Sequence, residues 1–310
     1  MEYIEEIRSL ERQLSFRKVI EIPDHFDNIV VAGMGGSGIA GMILRDFYSE
    51  KPVILVNSYG IPDFVDSKTL FIAISYSGNT EETLEATRRA MEKGAHIRAV
   101  TTGGRLAEVV DESVIIPEGY QPRSAVGFLT IPIFMGLGLV DESEVEETRK
   151  LLRGSDLSVD PFRKFAGEIF DGEKIPVIFG TPGLGSVAYR WKTQFNENAK
   201  VLAYSTSFPE LNHNDTMALE NTYRKDEFYF FVLTPKSVEK EINKRIRITS
   251  ELCRVVLNRV EGEGSTLFSN IFSLIHNGDY ISYFLAQKRG VDPRNVKIIE
   301  KLKVELKKQD

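Results

Sequence analysis

Cysteine occurs once in the 310 residues, at Cys253. A single cysteine excludes an intrachain disulfide and a CxxC metal site, and it suits a reducing cytoplasm. Cys253 itself reads as a small buried residue of an amphipathic helix. No apolar run approaches the ~18 residues that span a bilayer. The opening stretch, MEYIEEIRSLERQLSF, is charged and helix-periodic, which does not fit a signal peptide. An excess of basic charge is also missing. The formal net charge is −6, which argues against a general nucleic-acid binder. The four histidines include no HxxxH pair, so no metal site is expected. Nor is there a G-x-S-x-G elbow, since GLGSV around Ser186 does not fit one, and serine-hydrolase chemistry is disfavoured.

What is present is a chain large enough for two domains at roughly 100–200 residues each. Short β-branched runs alternate with helical patterns. NIVVAGMGGSGIAG (28–41) reads as strand, glycine turn and helix; PVILVNS, TLFIAIS, HIRAVTT and SVIIPEG read as further strands. This alternation predicts an α/β fold with mainly parallel sheets flanked by helices. PRSAVGFLTIPIFMGLGLV, from Pro122, reads as a buried helix entered after a proline. A polar helix over 141–153 leads to a second strand–glycine turn–helix unit, KIPVIFGTPGLGSVAYRWKTQFNENAK. Gly33 and Gly180 both end apolar strands before glycine-rich loops, an internal repeat of architecture. The expected units are 1–152 and 153–310. Strands are expected over 200–204, 227–233 and 255–260, and helices over 236–253, 268–289 and 294–308.

The chemical signals begin at LFIAISYSGNTEET (70–83). Ser75, Ser77 and Thr80 fall where a buried strand hands over to a helix N-terminus. Free N–H groups and the positive helix end favour an anion there, and hydroxyls add donors without charge. The stretch reads as a phosphate cup without a Walker lysine. The same residues can also simply cap the helix, with Glu81 and Glu82 complementing its dipole. GMGGSG (33–38) formally fits G-x-G-x-x-G, but the second strand ends in Asn57 and Ser58, not the acid a dinucleotide ribose needs. Gly36 and Ser37 can instead wall a sugar or phosphate pocket. Both loops lie at the carboxyl ends of parallel strands and can face one crevice. Arg123, at the mouth of an apolar segment, is either a surface arginine paired locally or a fixed cation for an oxyanion or phosphate. Glu197, in FNENAK, has the form of an exposed helical glutamate. His213, in the polar loop ELNHND, can shuttle protons near neutral pH.

Taken in order, GMGGSGIAG, SYSGNTEET, PRSAVGF, FNENAK and ELNHND resemble the sugar isomerase (SIS) domain proteins, specifically the bifunctional phosphoglucose/phosphomannose isomerase family. The resemblance covers nearly the whole chain. It implies two SIS-type domains, the second degenerate, with a C-terminal helix completing the site. It implies that Ser75, Ser77 and Thr80 bind the sugar phosphate, Gly36 and Ser37 line the sugar site, and Arg123 stabilises an enediolate. Glu197 is then the base, and His213 assists ring opening from the partner subunit of a homodimer. A lysine of the ending KIIEKLKVEL joins the site: Lys303 by the family pattern, with Lys301 the alternative. The family's DPTP is DPRN here, over Asp292–Asn295. The implied reaction is aldose–ketose isomerisation of glucose 6-phosphate and mannose 6-phosphate with fructose 6-phosphate. It needs no cofactor and no metal, in a cytoplasmic enzyme with no nucleic-acid or membrane partner. Rival readings are a non-catalytic SIS sensor of sugar phosphates and another SIS sugar-phosphate enzyme.

Overall fold

The computed structural model describes residues 2–306 and 308. Met1, read with the opening helix, and residues 307, 309 and 310 lie outside the described residues. The chain begins with α1 (Tyr3–Arg8) and α2 (Leu10–Gln13). The expected single helix is interrupted at Ser9, whose hydroxyl donates to the Glu6 carbonyl at 2.6 Å and so competes with the helix ladder. Tyr3, Ile7, Leu10 and Leu14 make the apolar face, and Glu6 and Gln13 are buried with them.

The first sheet is built from β1 (Asn28–Gly33), α3 (Gly35–Phe47), β2 (Val53–Val56), β3 (Thr69–Ser75), α4 (Glu81–Glu92), β4 (His96–Thr101), α5 (Gly104–Val109) and β5 (Ser113–Ile115). Its strands pair in parallel in the order β2-β1-β3-β4-β5. The strand order reverses at β1, so a crevice opens beyond the carboxyl ends of β1 and β3. Every residue of β3 is buried, as a central parallel strand requires. A short turn at Pro122–Ser124 then leads into the buried helix α6 (Val126–Gly136).

The polar bridge is α7 (Glu142–Ser155), and the expected division at residue 152 falls within it. It is followed by α8 (Asp160–Asp171), a helix not expected from the sequence although Phe162, Ala166 and Ile169 recur at helical spacing. The second sheet comprises β6 (Ile175–Gly180), α9 (Gly185–Gln194), β7 (Tyr204–Ser207), α10 (Asp215–Asn221), β8 (Phe228–Thr234), α11 (Lys240–Cys253) and β9 (Leu257–Glu261). It is parallel, in the order β7-β6-β8-β9. The strand expected over 200–204 begins only at Tyr204, because Lys200 adopts φ 57° and ends the preceding turn in the left-handed region. Cys253 is buried at the end of α11, as expected. The chain closes with α12 (Leu267–Lys288), opened by a Thr266–Ser269 capping box, and α13 (Lys297–Leu306).

The two halves are packed into one body. A single apolar cluster runs from Ile29, Ile72 and Phe134 to Trp191, Phe231 and Phe272. Asp46, near the end of α3, accepts from the Ser186 N–H at the start of α9 at 2.6 Å. The second glycine turn thus presents its helix N-terminus to an internal carboxylate, where the dipole favours negative charge. Within the second half, the buried Arg190 donates through Nη2 to both Asp279 carboxylate oxygens, at 2.9 and 2.8 Å, and Gln194 donates to the same carboxylate at 2.7 Å. This pair joins α9 to α12. Asp279→Ala leaves a buried guanidinium uncompensated and is expected to lower stability by about 3–5 kcal/mol. An Arg190→Met/Asp279→Leu double substitution recovers most of that loss, and urea unfolding of both variants checks it.

Candidate active site

Arg123 is the centre of the site. It sits in the turn entering α6 and is buried despite its charge. Nε donates to Asn198 Oδ1 at 2.9 Å, and Nη2 donates to the Pro293 carbonyl at 2.6 Å. Nη1 donates to Gln121 Oε1 at 3.2 Å and to Glu197 Oε2 at 3.3 Å. The guanidinium also lies 5.3 Å from the Tyr3 ring centroid. Position alone fitted a locally paired surface arginine; the structure pairs it, but in the interior and from four directions.

Glu197 does not lie in a regular α-helix. The stretch Phe195–Ala199 is a π-turn that continues α9. Such a turn adds one residue to the helical circuit and often marks a functional site. Here it leaves the Glu197 carboxylate half-exposed beside Arg123 while Asn198 points into the buried layer on α12. Asn198 Oδ1 accepts from both Arg123 and the Tyr3 hydroxyl (2.8 Å), and its amide donates to Ser282 Oγ at 2.9 Å. Burial pushes the Tyr3 phenol up, against the opposing charge of Arg123. Lys200 ends the turn and donates to the Glu197 carbonyl. Partial burial and then repulsion from Arg123 pull its ammonium below the usual range, against Asp292 and Glu197.

Glycine supplies the opposite wall. A Cβ at Gly36 would stand 2.8 Å from the Arg123 Cα, so only glycine allows this approach. Gly33, Gly35, Gly36 and Gly38, with Asn57, Arg123 and Glu197, line a cavity of about 390 Å³ between the two halves. Ser37 Oγ accepts from the Tyr76 N–H at 3.1 Å and so ties the glycine turn to the serine-rich turn after β3. In that turn Thr80 is the N-cap of α4 yet makes no side-chain cap bond. Its hydroxyl accepts instead from Ser75 Oγ at 3.0 Å, while Ser77 Oγ accepts from the Asn79 N–H at 3.2 Å. Gly78, at φ 67°, packs where a Cβ would meet the Gly103 carbonyl at 1.8 Å.

The structure therefore brings together Gly36, Arg123 and Glu197, and joins Ser37 to the turn of Ser75, Ser77 and Thr80. His213 ends a short turn (Glu210–His213) beyond β7, is exposed, and is not among the residues lining the cavity. Lys301 and Lys303 are exposed on α13, which buries none of its residues. Sequence reading gave no role to Tyr3, Glu6 or Pro293. The available signal was Glu6 itself, an acid on the buried face of α1.

Comparison with known proteins identifies the fold and the family. Residues 25–131 match the SIS domain model, and residues 158–306 match the bacterial phospho-glucose isomerase C-terminal SIS domain model. A C-terminal domain of glucosamine-fructose-6-phosphate aminotransferase from Francisella tularensis superposes with a TM-score of 0.72 at 16% identity, covering 95% of this chain and 98% of that one. The class is thus that of proteins with two SIS units enclosing one cleft. The chain is 50% identical to the bifunctional phosphoglucose/phosphomannose isomerase of Thermoplasma volcanium over 99% of this chain and 100% of that one. It is 51% identical to the Thermoplasma acidophilum protein of the same name, over 98% and 97%. The chain belongs to the bifunctional phosphoglucose/phosphomannose isomerase family.

Because the Gly36 contact is with backbone, Gly36→Ala must displace the Arg123 turn. Overpacking of this kind is expected to lower stability by about 1–3 kcal/mol. Denaturant unfolding of the variant against wild type measures it.

Proposed function

We propose that this chain interconverts glucose 6-phosphate and mannose 6-phosphate with fructose 6-phosphate through a cis-enediol(ate). The observation that carries the reading is the Glu197 carboxylate 3.3 Å from the buried Arg123, at a cavity walled by Gly36. A carboxylate base next to a fixed cation is what proton transfer between C1 and C2 requires. Glu197 removes the proton α to the carbonyl and returns it at the neighbouring carbon. Arg123 stabilises the charge that develops on the oxygens, in a site where water screens it poorly. Ser75, Ser77 and Thr80 hold the phosphate, and Gly36 and Ser37 the sugar. The Thr80 hydroxyl supports this, being turned to Ser75 and not to a cap bond.

His213 opens the sugar ring. Its exposure away from the cavity of its own chain supports donation from the partner subunit of a homodimer. Lys303, or Lys301 in its place, completes the site from α13. The two SIS units, 1–152 and 153–310, thus share one reaction, and the enzyme is cytoplasmic. Glucose and mannose phosphates differ at C2 and give the same enediol, so rotation about C2–C3 lets the proton return to either face.

Fructose 6-phosphate incubated with EDTA-treated protein and followed by NMR is expected to give both aldose phosphates. Glucose 6-phosphate alone would narrow the reading to a single-specificity isomerase. Binding without turnover would favour a sensor. Glu197→Gln is expected to reduce turnover by at least about 10²–10⁴-fold while sugar-phosphate binding persists. Normal turnover in that variant would remove Glu197 as the base.

A further inference from the structure

Glu6 is a fully buried carboxylate that the proposed chemistry does not use. It lies on α1, which precedes the stretch matched by the SIS domain model at residues 25–131. Its Oε2 accepts from the Gln121 N–H at 2.8 Å, two residues before Arg123. Its Oε1 makes no hydrogen bond of good geometry, and faces Arg294 Nη2 at 3.5 Å. The Tyr76 phenol also feels its charge, and that phenol in turn accepts from the Tyr120 N–H at 2.9 Å. A buried carboxylate is retained only when it is compensated. The cation placed to do so is Arg294, which belongs to the C-terminal segment.

That segment is also held at its start, where Arg289 Nη1 donates to the Ala199 and Lys200 carbonyls at 2.6 and 2.7 Å and Val291 packs on the main apolar cluster. Further on it meets Arg123 itself through the Pro293 carbonyl, which accepts from Arg123 at 2.6 Å and lies 3.5 Å from Lys200 Nζ. The helix that follows buries none of its residues. Pro293 and Arg294 are adjacent, so holding the arginine holds the carbonyl. One carboxylate therefore touches both sides of the catalytic arginine: the turn that carries its backbone, and the segment that orients its Nη2.

We propose that Glu6 and Arg294 form a latch that clamps the 292–295 segment onto Arg123, making both of them positioning residues for the isomerisation. The proposal rests on the reading of Arg123 given above. With the latch open, Pro293 leaves Nη2 and the guanidinium turns. The loss then falls on a group that acts in the transition state, more than on substrate binding.

The test is steady-state kinetics with fructose 6-phosphate on wild type, Arg294→Ala, Arg294→Lys, Glu6→Gln and the Glu6→Gln/Arg294→Ala pair. Arg294→Ala is expected to lower kcat about 10-fold while KM changes by less than about 3-fold. Arg294→Lys restores most of kcat, because it restores the charge. The double variant is no worse than Arg294→Ala alone, since the two act as one unit. Wild-type kcat in Arg294→Ala, or losses that multiply in the double variant, would overturn the latch. Arg294 is partly exposed, so its alanine variant tests the idea even where Glu6→Gln does not fold. Should wild type turn over no sugar phosphate, the functional reading fails on its own. The latch is then decided by the same cycle in unfolding free energy: coupling supports it and additivity refutes it.

Discussion

The structure turns on one buried guanidinium. A charge removed from water must be surrounded by acceptors held in place, or the fold does not tolerate it. Arg123 collects those acceptors from distant parts of the chain: Gln121 beside it, Glu197 and Asn198 on the π-turn, and Pro293 near the end. Each of these is itself fixed. Asn198 is tied to Tyr3 and Ser282, and Ser282 donates to the Asp279 carbonyl at 3.0 Å. Asp279 in turn compensates Arg190. The first helix, the second glycine-turn unit and the C-terminal segment are therefore all recruited to satisfy one side chain. This explains why α1 and the residues after α12 are integral to the cleft.

Much of this arrangement was legible in the sequence where the signal is local. The strand–glycine turn–helix pattern appears twice, and both instances formed parallel sheets, with Gly33 and Gly180 ending β1 and β6. The serine-rich turn after β3 was legible because hydroxyls and a glycine follow an unbroken apolar run. Gly36 was read as the wall of a pocket; its close packing on the Arg123 backbone was not legible. Illegible features depend on contacts distant in sequence. Arg123 gave no sign of its burial, because three of its four polar partners lie more than 70 positions away. Glu197 looked like an ordinary helical glutamate, since nothing local announces a π-turn. The strand at β7 was placed early because Val201 and Leu202 are apolar; the left-handed Lys200 and the close of the turn keep them out of the sheet.

The repeat also shows why two similar units yield one cleft. Both glycine turns end a central strand and start a helix, so each offers free N–H groups to an anion. In the second unit that position is taken by Asp46 from the first. The carboxylate does what a bound anion would do, and it fastens α3 to α9 in doing so. The equivalent space at Gly36 instead faces the backbone of Arg123 and remains open to the cavity. One turn has become a joint and the other a wall of the site.

The Arg123–Glu197 contact has a chemical consequence of its own. The carboxylate and the guanidinium share one hydrogen bond, so each limits what the other can offer a substrate. The pair serves a substrate only if that contact can be exchanged. Three of the arginine's four polar partners are neutral: Asn198, Gln121 and the Pro293 carbonyl. They satisfy its donors without adding negative charge, and they fix its plane so that only Nη1 faces the carboxylate, at 3.3 Å and not at the 2.7–2.9 Å of a tight ion pair. A substrate oxygen entering between them can take up that Nη1 donor. In the proposed reaction that donor then serves the oxygen where negative charge develops, and Glu197 is freed to move the proton.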